Sequence, residues 1–177
     1  MINYTDKQYD MVEALFDMVK TVSLKNKSSD SRYEYAWKRQ ISNLIFDIKG
    51  NGYSTGLVSK SALKTNKPYY VSDHVYSRGT VAEYLISKFK NKPFTLEWLQ
   101  NNFPKLATTI FVTQKENGRL SFITRNMTLT QLMKMEHYIE AGIKLIHVPS
   151  KRVKKFPQLV TEQMETLVDS HSIKWIQ

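Results

Sequence analysis

Apolar residues recur at spacings of three and four through the first fifty positions, then at spacings of two in later stretches, a change of period that separates helices from strands. Met11, Leu15, Met18 and Val22 predict an amphipathic helix over residues 5–25, opened by Thr5-Asp6. The polar run KNKSSDSR (25–32) interrupts it. Tyr33, Trp37, Ile41, Leu44, Ile45 and Ile48 predict a second helix that Gly50 ends. The two helices form an N-terminal hairpin over residues 1–50. NGYSTG (51–56) reads as a turn, and the polar segment to Asn66 as a loop with room for one short strand.

Tyr69 to Tyr76 alternates and is rich in β-branched and aromatic residues, so it predicts a strand. Thr80 then caps a helix bearing Val81, Tyr84, Leu85 and Phe89, and Thr95 caps another bearing Leu96, Leu99 and Phe103, which Pro104 breaks. Thr108 to Thr113 is a second strand, followed by a helix over 115–123. A further helix opens at Thr128 or Thr130 and runs to Ala141, closed by Gly142. IKLIHV (143–148) predicts a third strand, and Pro157 through Val168 a last helix. This succession is α+β and helix-rich, arranged as one domain. Its parts are the hairpin (1–50), a mixed segment (51–149) and a basic segment with a terminal helix (150–177).

Charge changes the picture more than length does. The 177 residues carry 26 Lys and Arg against 16 Asp and Glu, a net charge of +10, which favours a polyanionic partner, with nucleic acid the leading one and an acidic membrane surface a weaker one. There is no Cys, so disulfides, thiolate chemistry and Cys-based zinc sites are excluded. MINYTDKQYDMVEAL has no signal-peptide pattern and no apolar run is long enough to span a bilayer, so the expected location is cytoplasmic, with no membrane partner.

Candidate chemistry gathers at two places. Asp73-His74 lies in KPYYVSDHVYSR (67–78), and Glu116-Asn117 lies in TTIFVTQKENGRL (108–120), forty-four residues on from Asp73 to Asn117. Asp73 offers a hard oxygen ligand, and His74 an imidazole whose ordinary pKa suits a general base at neutral pH. Phosphodiester hydrolysis needs such a kit, because water is a weak nucleophile and the leaving alkoxide a poor one. An oxygen-rich site without Cys favours Mg²⁺ or Mn²⁺.

At these residues the chain resembles the HNH (ββα-metal) endonucleases, in which an Asp-His or His-His pair at a strand end faces an Asn or His on a following helix. VTQKENGRL is similar to the helix-start pattern VT-x-E-H-x-x-L of small HNH nucleases, with Asn in place of the ligand His. The resemblance covers residues 66–124. It implies a ββα-metal core in the segment 51–149, with Asp73 and Asn117 as metal ligands and His74 as the base that activates water. It also implies a setting in bacteriophages or mobile elements, hence a host cytoplasm. The family's middle Asn has Asn101 and Asn102 as candidates, and the stretch from Gly79 to Pro104 must be a helical excursion that returns the chain to the site.

Plainer readings stand beside these. Strict alternation sends Asp73 and His74 to opposite faces unless the strand ends or bulges there. Glu116 suits the first turn of its helix as a dipole-favouring carboxylate. Arg78, Lys115 and Arg119 flank the site and could clamp the scissile phosphate, while Lys151, Arg152, Lys154 and Lys155 suit backbone contacts. Arg32, Lys38 and Arg39 interleave with Tyr33, Tyr35 and Trp37, a stacking surface or simply core aromatics at helical spacing. His137 and His171 read as ordinary surface or interface histidines. The expectation is a metal-dependent DNA endonuclease, with a non-catalytic nucleic-acid-binding protein and a protein-binding adaptor as alternatives. A homodimer would help to cut both strands.

Overall fold

A computed structural model describes residues 4–25, 31–48, 53–64, 70–147 and 166–167. They form two compact units, each assembled from two separated stretches of chain: one from Met1–Gly52 with Tyr76–Ala107, the other from Tyr53–Val75 with Thr108–Gln177. The helical excursion therefore groups with the N-terminal hairpin.

The regular elements described in the first unit are all helices. It comprises α1 (Asp6–Lys25), α2 (Ser31–Ile48), α4 (Arg78–Asn91) and α5 (Leu96–Leu106), with α1 packed against the other three and α2 against α4. Thr5 and Gln8 exchange side-chain and backbone hydrogen bonds that close the start of α1. Val12, Leu15, Val19 and Val22 bury one stripe of α1, and Ile41, Ile45 and Ile48 do so for α2. Between α1 and the start of α5 an aromatic chain runs Phe16, Phe89, Phe94, Trp98, with ring centroids 6.1, 5.2 and 4.7 Å apart in turn. Such pairs add about 0.5–1.5 kcal/mol each beyond their buried area. Ser77, one turn before the expected Thr80, caps α4 by accepting from the Thr80 N–H, and Thr95 caps α5 as expected. Pro104 sits inside the last turn of α5 without ending it.

The second unit is a mixed sheet with short helices. Its strand order is β2 (Tyr70–His74), β3 (Thr108–Thr113), β1 (Tyr53–Ser59), β4 (Leu145–His147) and the two-residue β5 (Thr166–Leu167). β1 runs parallel to β3, and the other neighbours are antiparallel. The sequence reading of 51–66 as turn and loop is corrected here: Tyr53–Ser59 is the central strand, followed by the short helix α3 (Lys60–Leu63). Gly56 explains the misreading, since its φ of 75° interrupts the ladder with β3 between Ser54 and Val58.

β3 runs directly into α6 (Gln114–Ile123), which packs against β2 and β3. The single helix expected up to Ala141 is two, α7 (Leu129–Met133) and α8 (Glu136–Glu140). Buried Met135 separates them with a φ of 61°, a left-handed conformation that α-helix cannot continue through. The terminal helix expected over 157–168 lies outside the described residues, except that Thr166–Leu167 is strand. The basic segment Lys151, Arg152, Lys154 and Lys155 also lies outside them, as does His171.

Candidate functional site

Among the described residues β2 is an edge strand, paired on one side only. Its register with β3 is regular, Tyr70 opposite Thr113, Asp73 opposite Ile110 and His74 opposite Thr109, and β2 ends at His74. There is no bulge, so alternation sends Asp73 and His74 to opposite faces of the strand's last two positions. Asp73 shares its face with Val71 and Val75, across from Ile110 and Val112, both fully buried.

That apolar setting governs the Asp73 carboxyl. Burial raises its pKa from 3.8 to about 6, against the opposing pull of a hydrogen bond from Tyr138. The Tyr138 hydroxyl on α8 donates to Asp73 Oδ2 at 2.7 Å. Beside Tyr138, His137 is buried rather than at the surface, and its Nδ1 has no hydrogen-bond partner among the described residues. Burial lowers its pKa from 6.5 to about 4, although a backbone hydrogen bond at Val75 works the other way. His137 is therefore a neutral imidazole at neutral pH.

α6 is held at its start by a capping box. Thr113 Oγ1 accepts from the Glu116 N–H at 3.1 Å, and Glu116 Oε2 accepts from the Thr113 N–H at 2.9 Å. The same Oε2 accepts from buried Ser59 on β1 at 2.6 Å, and Ser59 Oγ in turn accepts from the Ala62 N–H to cap α3. Burial pushes the Glu116 pKa up, but the hydrogen bonds from Ser59, Thr113 and Ser61 outweigh it and hold the carboxyl below its usual 4.5. Glu116 is a structural carboxylate that ties α6 to the central strand.

Asn117 follows on α6, half-buried, with Lys115 and Arg119 exposed on the same helix. Asp73, His74, Lys115, Asn117 and Arg119 thus sit on elements of one unit that pack on each other. Arg78 belongs to the helical unit instead, where its guanidinium lies 4.6 Å from the centroid of the Phe46 ring.

The donor chemistry suits a hard cation in part. Asp73 is a carboxyl that burial pushes above its ordinary pKa, and a bound divalent ion would favour its ionised form. Asn117 offers an amide oxygen on a helix packed against β2. Among the described residues no three His, Asp or Glu side chains gather as a metal-holding group. Tyr138 and His137 were missed as site neighbours from sequence, because α8 meets β2 only through tertiary packing.

Comparison of the chain with protein-family models, with curated proteins and with solved structures yields no match. Among the described residues no helix is long and apolar enough to cross a membrane.

Proposed function

We propose that the chain is a metal-dependent endonuclease that hydrolyses DNA phosphodiester bonds at an HNH-like site. The observation that carries this reading is the succession of β2 ending in Asp73-His74, antiparallel β3, and α6 packed on both strands and bearing Asn117. The edge position of β2 supports it further. Asp73 and His74 are the last two positions of that strand, where its register with β3 ends.

In this reading Asp73 and Asn117 hold Mg²⁺ or Mn²⁺. The bound ion supplies charge stabilisation at the phosphoryl oxygens and the leaving group. His74 takes a proton from water as the water oxygen bonds to phosphorus. The bond from phosphorus to one sugar oxygen breaks, and the alkoxide released takes a proton from solvent. Lys115 and Arg119 draw the phosphodiester to the site and hold it.

Nicking of supercoiled plasmid in Mg²⁺ or Mn²⁺ is the test. Cleavage that needs the metal and drops by about 10²-fold or more in His74→Ala supports the assignment; metal-dependent cleavage unchanged in His74→Ala overturns it. A second reading, a nucleic-acid-binding protein without hydrolysis, draws on the Tyr138 hydroxyl already bonded to Asp73. Salt-sensitive DNA binding with no cleavage would favour it.

A further inference from the structure

The apolar pattern of α2 places Tyr33 and Trp37 on the buried stripe with Ile41, Ile45 and Ile48. Burial is confined to the three isoleucines, while Tyr33 and Tyr35 are 67% and 69% exposed. A single exposed ring is ordinary, but rings aligned with cationic groups on one face make an interaction surface. Tyr35, Arg39, Ser42 and Phe46 follow at i, i+4, i+7 and i+11, one stripe along the helix. Tyr35, Arg39 and Phe46 are exposed and Ser42 half-buried. Arg78, from the first turn of α4, lays its guanidinium over the Phe46 ring at 4.6 Å and is itself exposed.

The result is a solvent-facing row of ring, guanidinium, ring and guanidinium, about 16 Å long at the rise of an α-helix. The carboxylates nearby lie off this row. Glu34 and Glu83 pair with Lys38, which is turned about 100° from Arg39, and Asp47 is turned about 100° from Phe46. The row is therefore cationic and aromatic with no acidic side chain in it.

We infer that the Tyr35–Arg39–Phe46–Arg78 surface of the helical unit binds single-stranded nucleic acid, the rings stacking on unpaired bases and the guanidinium groups contacting phosphates. The rings favour a single strand over a duplex. Ring faces are useful to bases that are not already stacked in a helix, and Arg adds charge that tracks the backbone without reading sequence. The stacked Phe46–Arg78 pair is also pre-ordered, so less side-chain freedom is lost on binding. This inference does not depend on hydrolysis at Asp73-His74.

Fluorescence anisotropy of a labelled oligothymidylate, with the full chain in EDTA, tests it against a duplex of equal length. Tyr35→Ala and Phe46→Ala should each weaken oligothymidylate binding about 5- to 150-fold, with circular-dichroism melting unchanged. Tyr35→Trp should bind as well as the parent, since it restores a ring. Arg39→Gln should lower the salt slope of binding by about 0.7. Affinity within about twofold of the parent in both alanine variants would overturn the inference, as would absence of oligothymidylate binding. Plasmid nicking that persists unchanged in His74→Ala overturns the hydrolysis reading without bearing on these affinities, so the two ideas fail separately.

Discussion

The Tyr138 hydroxyl donates to Asp73 Oδ2 at 2.7 Å across sixty-five residues of sequence, joining α8 to the end of an edge strand. That bond stabilises the ionised carboxylate against the burial that disfavours it. Tyr138→Phe should therefore push the Asp73 pKa above its value of about 6. Carboxyl carbon chemical shifts followed by NMR across the titration would show this; a pKa that fell would contradict it.

Asp73 and His137 make opposite contributions to the pH dependence of stability. Between about pH 4 and 6 the folded chain keeps a proton on Asp73 that the unfolded chain has released, so this group lowers stability as pH rises. His137 behaves in the reverse sense. Between 6.5 and about 4 the unfolded chain takes up a proton that the buried imidazole refuses, so stability is lost as pH falls. Glu116, held below 4.5, adds stability at neutral pH that is lost only as pH falls below that value. Thermal melts with chelator present should show a steeper loss on acidification from pH 6.5 to 4 in Asp73→Asn than in the parent. His137→Leu should show a shallower one, and matching slopes in all three proteins would contradict both assignments.

One hydroxyl bridges two helix starts. Ser59 Oγ donates to Glu116 and accepts from the Ala62 N–H, and the residue is fully buried. Ser59→Ala leaves a buried carboxylate one partner short and α3 without its cap, so urea denaturation should show a loss of about 1–3 kcal/mol. A loss of the same size is expected in Glu116→Ala, and the double variant should lose less than the two combined because they share the bond.

Gly118 lies inside α6, and a Cβ added there would meet nothing within 4 Å. Gly118→Ala should accordingly raise stability by about 0.5–1 kcal/mol through helix propensity. A destabilised variant in the same denaturation experiment would show that the position has a constraint the packing does not reveal.

Local chemistry made much of this fold legible. Thr95 and Thr128 announce their helices because a cap is a bond between a side chain and the backbone three residues on. The strand 108–113 and the helix after it follow from a run of β-branched residues ending at a capping pattern. What escaped depends on contacts distant in sequence. Tyr53–Ser59 has the composition of a turn, and only pairing with β3 and β4 makes it the sheet's centre. Met135 gives no warning of its left-handed backbone. The Asp73-His74 pair was visible as chemistry, but the apolar face around Asp73 and the phenol on it come from elements far along the chain. Periodicity alone leaves Tyr33 readable as core or as a stacking surface, because an aromatic at helical spacing scores the same whether or not anything covers it.

A shared cation between Asp73 and Asn117 can be read from a Mn²⁺ titration followed by NMR of the Asn side-chain amides. Selective broadening of the Asn117 amide at substoichiometric Mn²⁺, abolished in Asp73→Ala, is the predicted result. An Asn117 amide that stays sharp, or broadening that survives Asp73→Ala, would contradict the metal site and with it the proposed hydrolysis.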